Sequence, residues 1–194
     1  MPSLWLIRHA PAAGNLNGVF MGQLDGEPDV DGLAAAGALG GQVAADFIWS
    51  SPLRRAALTA AAIFPGRDVV HDDRLMERHL GSWQGRVKDE VRAERPDAFT
   101  DAGTLDLTIT PPGGESLADL KTRVGAVLDA VAALPDGSTV ALVAHNGVLR
   151  TARVLLGQMD VHEASRTPEK FASPARLTLD APRLARLRAA RRIT

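Results

Sequence analysis

The sequence contains no cysteine. Disulfide staples, thiolate nucleophiles and cysteine-based zinc or iron–sulfur sites are therefore excluded, and a cytoplasmic setting is expected. It also lacks a large charge of either sign, with a net charge of −1 and a pI near 6.5. A protein whose task is to neutralise a nucleic-acid backbone or an anionic membrane is not built this way, so any basic site must be local. No apolar run approaches the ~18 residues of a membrane span. The apolar stretch at the N-terminus has no cationic leader and is broken early by Arg8. Neither a P-loop nor a GxGxxG motif occurs. No nucleic-acid or membrane partner is expected.

What is present is a chain of 194 residues, close to the prior for one domain and long enough to bury a core. Apolar strand-like runs alternate with Ala-rich helical stretches. Leu4–Ile7 and "DFIWSS" (Asp46–Ser51) read as strands, "STVALVAH" as the clearest buried strand, and "RDVVHDD" as holding a short one. Helices are expected over Asp31–Ala45 and from Ser51, a candidate N-cap with Pro52 at the first helical position, to about Ile63. Further helices are expected in "RVKDEVRAER", over Leu117–Leu134 and in "NGVLRTARVLLG", and the terminal "ARLTLDAPRLARLR" reads as a hairpin. In "RLARLRAARRIT" arginines alternate with apolar residues like the solvated face of an edge strand. The alternation implies an α/β fold, a three-layer sandwich with a mostly parallel central sheet and helices on both faces. Residues 1–194 are read as a single domain, with 78–112 as an irregular segment over the site. The oligomeric state is not legible.

In such sheets ligands bind beyond the carboxyl ends of the strands. The first strand ends in Arg8-His9, the second runs into Arg54 and Arg55, and "VALVA" ends at His145. Three strand ends thus deliver basic groups to one edge, and helix N-termini near Pro52 and after Asn146 would add backbone N–H donors. Two histidines could also hold a metal, but guanidinium groups beside them repel a dication and favour phosphate. "HDDRLMERH" matches no zinc spacing. Its His71 and His79 are candidates for the substrate entrance, and His162 and Arg54 for the solvated surface. Taken singly, Glu77 reads equally well as an ion-pair partner of Arg74 or Arg78, and His145 as a satisfied core histidine.

"LIRHAPAAGN", "SSPLRRAALTA", "LMERHLGSWQG", "PPGGES" and "VAHNGVLR" together resemble, in order, the motifs of the histidine phosphatase superfamily, the phosphoglycerate mutase-like group. The resemblance implies His9 as nucleophile, Glu77 as acid/base and His145 as the second pocket histidine. It implies Arg8, Asn15, Arg55 and His145 as the phosphate pocket, to which Asn146 is added at the helix N-terminus, with no metal and no organic cofactor. "LWLIRHAP" and "GQLD" (Gly22–Asp25) most resemble α-ribazole phosphatase-like members. The chain departs from the family pattern at Ala10, Ala12, Val19, Gln84 and Asn146, which bears on substrate class and rate.

The expected activity is hydrolysis of a small phosphomonoester through a phosphohistidine, α-ribazole 5′-phosphate being one candidate substrate. Phosphoglycerate mutase-type phosphoryl transfer, a non-catalytic phospholigand-binding module and a metal-dependent hydrolase on His9 and His145 are the alternatives. The compact chain favours hydrolysis over transfer. A binding module would need neither a nucleophile nor a proton donor.

Overall fold

The computed structural model describes residues 1–191, and the side chains to residue 189. Five strands form one sheet: β1 (Ser3–Arg8), β2 (Phe47–Ser50), β3 (Val70–His71), β4 (Thr139–Ala144) and β5 (Ala175–Thr178), in the order β3-β2-β4-β1-β5. β1, β2, β3 and β4 are mutually parallel, and β5 runs antiparallel to β1 at the edge. The fold is α/β with a mostly parallel sheet, as the alternating pattern implies. Across the three central strands Arg8 of β1 stands beside Ala144 of β4, and Ser50 of β2 beside Val143 of β4. The strand ends that carry Arg8-His9, Ser51 and His145 are therefore level.

Side chains alternate across the sheet and separate two cores. Leu4, Leu6, Val140 and Leu142 face α5 (Leu117–Ala132), α6 (Asn146–Leu155) and α8 (Ala181–Arg191). Ile7, Ile48, Ala141 and Val143 face α2 (Val30–Gly37) and α3 (Arg54–Ile63), while the short helices α1 (Ala13–Leu16) and α7 (Val161–Arg166) place no residue in either core. Burial on both sides explains why "VALVA" reads as a continuous apolar run rather than an alternating one.

A third cluster, Phe20, Leu80, Trp83, Val91 and Ala98 with Phe99, Leu105 and Ile109 against it, lies within the segment 78–112 and its neighbour Phe20. The segment holds α4 (Lys88–Glu94), inside the "RVKDEVRAER" stretch expected to be helical, and two 3-10 turns, Gly81–Trp83 and Pro96–Ala98. Arg78 holds it down, its guanidinium donating to the carbonyls of Leu107, Ile109 and Glu115.

Three boundaries differ from the sequence reading. The helix expected over Asp31–Ala45 stops at Gly37, where Ala38 is followed by turns through Gly40 and Gly41. α3 begins at Arg54 rather than Pro52, because the Ser51 hydroxyl accepts from Leu53 N before the helix starts. The expected terminal hairpin is a strand followed by a helix. Asp180 accepts from Arg183 N, and Pro182 lies in the first turn of α8, a start signal that outweighs the alternating arginines. Residues 192–194 of "RLARLRAARRIT" lie outside the described residues.

Candidate active site

The level strand ends open into a cavity of about 320 Å³ whose wall includes Arg8, His9, Asn15, Arg55, Glu77 and Asn146. His145 is fully buried behind that wall, its ring centroid 4.8 Å from that of His9. His9 Nδ1 lies 2.5 Å from the Ala10 carbonyl oxygen. A carbonyl only accepts, so Nδ1 carries the hydrogen and Nε2 is left with its lone pair. Ala10 is itself pinned, its N–H donating to Thr59 Oγ1 at 2.9 Å. Burial, then the charges of Arg55 and Arg8, hold the His9 pKa well below the ordinary histidine value. His145 is lowered in the same way, by burial first and then by His9, Arg55 and Arg8. Both imidazoles are neutral at pH 7.

Arg8 is locked face-on against the Phe171 ring, 3.6 Å from its centroid, and donates to the Glu169 carbonyl at 2.5 Å. Burial lowers its pKa to about 10, against the opposing pull of Glu77. Arg55, 1% exposed in the first turn of α3, donates to the carbonyls of Gly22 and Leu24, both at 2.7 Å. Among the described residues, the buried side-chain nitrogens without a partner are Arg8 Nε, Arg55 Nε, His145 Nδ1 and Arg150 Nε. Orphaned buried donors are rare, and an anion held in the cavity could supply acceptors to these four.

Glu77 follows the 3-10 turn Asp73–Leu75. Its carbonyl accepts from Gln23 Nε2 at 2.9 Å and from Arg123, and Arg123 is paired with Glu115. Its carboxylate accepts from the backbone N–H of Arg78 at 2.8 Å and of Gly147 at 3.1 Å. The ion pair with Arg74 or Arg78 therefore does not form, since Arg74 is taken by Asp72. A Cβ at Gly147 would stand 2.6 Å from Glu77 Oε1, so the glycine leaves that carboxylate its place.

Two phosphate-pocket candidates are partly committed elsewhere. Asn15 Oδ1 accepts from Ala12 N, and Asn146 Oδ1 accepts from Glu169 N at 2.8 Å. Arg54 is exposed and pairs with Glu27. His162 is exposed and lies against a separate depression with Asp101 and Asp106. His71 and His79 were candidates for the entrance, yet neither lines the cavity. His71 sits exposed on edge strand β3, and His79 Nδ1 is turned onto Gly81 N. Among the described residues no three His, Asp or Glu side chains gather as a cation site.

Several cavity residues escaped the sequence reading: Arg150, Arg78, Lys88, Phe99 and Phe171. Arg150 had a signal, being an arginine in a run of α6 residues that are otherwise buried and apolar or small. Phe171 had none. No helix among the described residues is long and apolar enough to cross a membrane.

Residues 4–188 match the profile of the histidine phosphatase superfamily (branch 1). A curated relative, phosphoserine phosphatase 1 of Hydrogenobacter thermophilus, is 32% identical over 166 residues, which is 83% of this chain and 79% of that protein. The solved structure of a mycobacterial glucosyl-3-phosphoglycerate phosphatase is 31% identical with a TM-score of 0.78, covering 90% of this chain and 88% of the other. The α-ribazole phosphatase from Shigella flexneri superposes with a TM-score of 0.77 over 93% of this chain and 92% of its own. At 23% identity that likeness shows the fold alone.

Proposed function

Since this chain belongs to the histidine phosphatase superfamily, branch 1, we propose that it hydrolyses small phosphomonoesters through a phosphohistidine formed on His9 Nε2. The observation that carries this reading is the set of unpartnered donors Arg8 Nε, Arg55 Nε and His145 Nδ1 around a neutral imidazole whose other nitrogen is tied to Ala10.

In the first step the Nε2 lone pair forms a bond to phosphorus while the bond to the ester oxygen breaks. Glu77 gives its proton to the departing alkoxide. Arg8, Arg55 and His145 hold the equatorial oxygens, where charge is spread in the transition state. In the second step water attacks phosphorus and Glu77 takes its proton. The N–P bond breaks, neutral His9 is restored, and inorganic phosphate leaves. Every proton is accounted for between substrate, water and Glu77.

Two relatives more than 30% identical are named as phosphatases of small phosphometabolites, which supports that substrate class more directly than α-ribazole 5′-phosphate. Relatives from Brucella at 33% identity are named as 2,3-bisphosphoglycerate-dependent phosphoglycerate mutases. The pairing of a nucleophile with a proton carrier in one cavity favours catalysis over mere ligand binding, and water as acceptor is the reading that the phosphatase relatives support. The test is hydrolysis of p-nitrophenyl phosphate in EDTA by the wild type and by His9→Ala. Activity in chelator, lost by about 10³-fold or more in the variant, is the expected result. An inactive wild type, or equal rates, overturns the reading, and activity abolished by EDTA would move the metal-dependent alternative ahead.

A further inference from the structure

Phe171 is half-buried in the cavity wall, yet it packs into none of the three apolar cores. Its neighbours are polar and central to the site. The Arg8 guanidinium lies over its face, 3.6 Å from the ring centroid, and the His9 ring meets it at 5.6 Å between centroids with the planes 65° apart. One aromatic ring thus borders both the nucleophile and the arginine beside it.

The backbone carries strain to place that ring. Phe171 pairs in parallel with Arg8, whereas from Ala175 onward the chain runs antiparallel to β1 as β5. The reversal passes through Ala172 at φ +44°, the one non-glycine residue with positive φ among the described residues. Left-handed backbone is unfavourable for alanine and persists only where the surroundings impose it, most often at functional sites. Here Ala172 N donates to the Arg8 carbonyl at 2.9 Å, tying the reversal to the end of β1.

The residues before the ring are fastened as well. Glu169 N donates to Asn146 Oδ1 at 2.8 Å, the Glu169 carboxylate pairs with Arg153, and the Glu169 carbonyl accepts from Arg8 at 2.5 Å. The guanidinium is therefore held by one face on Phe171 and by one terminal nitrogen on Glu169. A planar group fixed by a face and an edge keeps its plane, and Arg8 Nε, which has no partner, is the donor left in it.

We propose that Phe171 is a positioning residue of this site, holding the Arg8 guanidinium in the plane from which its free Nε meets the phosphoryl group. The catalytic part of this inference rests on the phosphatase reading above, and the phosphate-binding part does not.

The test is a double-mutant cycle of Phe171→Leu and Arg8→Gln. It is read on kcat/KM for p-nitrophenyl phosphate and on calorimetric binding of inorganic phosphate. Phe171→Leu is expected to cost about tenfold in both readouts. In the Arg8→Gln background the same change is expected to cost less than about threefold, because the group that the ring orients is gone. Phe171→Tyr keeps the ring face and stays within about threefold of the wild type. Equal losses in the two backgrounds mean that the ring supports only the fold, and they overturn the proposal. So does a Phe171→Leu protein as active as the wild type. Phe171→Met gives the same comparison if the leucine variant does not fold.

Inorganic phosphate has no leaving group, which separates the outcomes. Unchanged phosphate binding with slower ester hydrolysis would mean that the ring touches the ester moiety, so the positioning role falls and the phosphatase reading stays. A wild type that hydrolyses no ester, yet binds phosphate with the expected coupling, keeps the positioning role while the phosphatase reading falls. A wild type that does neither overturns both.

Discussion

His145 Nε2 lies 2.8 Å from the Ser51 hydroxyl, joining the end of β4 to the end of β2 beneath the cavity. Ser51 Oγ already accepts from Leu53 N at 3.2 Å, so its own hydrogen is free to point at Nε2. That donation leaves the imidazole hydrogen on Nδ1, the atom without a partner, where it can donate to a phosphoryl oxygen. Ser51→Ala removes the bias and is expected to lower kcat/KM by about tenfold to a hundredfold. Steady-state kinetics with a thermal melt beside them decide it. Undiminished kcat/KM in a folded variant would show that Ser51 does not orient His145.

Glu77→Gln should cost most where the leaving group most needs a proton. Loss of general acid catalysis is worth about 10²- to 10⁴-fold for an alkyl phosphate. For p-nitrophenyl phosphate, whose phenolate departs without help, the loss in the first step is expected to be far smaller. Measuring both substrates on both proteins tests the assignment, and equal losses would mean that Glu77 acts on phosphate binding instead.

Gly147→Ala offers an independent handle on the same carboxylate. Alanine is the better helix former, so α6 itself does not suffer. Its Cβ would press on Glu77 Oε1 at 2.6 Å, and the carboxylate must move. The variant is expected to melt within a few degrees of the wild type yet to reproduce the leaving-group pattern of Glu77→Gln. A pattern like that of the wild type would show that Glu77 tolerates displacement.

Stability should fall on mild acidification. His9 and His145 have folded pKa values held well below the unfolded value of 6.5 by burial and neighbouring cations. The unfolded chain therefore binds protons that the folded one does not once the pH drops below about 6.5, and the folded state loses ground until the depressed folded values are reached. Above that pH the two histidines impose no such cost. Urea midpoints at pH 7.5 and pH 5 should differ in that direction, and the difference should shrink in His145→Gln. An unchanged difference would place the proton uptake elsewhere.

The local pattern of the chain carried the sheet and its reactive edge. Leu4–Ile7 and "VALVA" are apolar on every residue because both faces of the central strands are covered, and the polar groups Arg8-His9 and His145 stand where such strands must end, with Arg55 in the first turn of the helix after β2. Strand order, and the levelling of those ends, came from pairing between segments more than 90 residues apart, as in Phe47 with Val140. Residues whose role depends on a distant partner were correspondingly silent. Nothing around Phe171 says that it will stack on Arg8, and nothing around Ser51 says that its hydroxyl will face His145. Local sequence encodes burial periodicity and helix starts, whereas the donors left open around the cavity exist only after packing has satisfied all their neighbours.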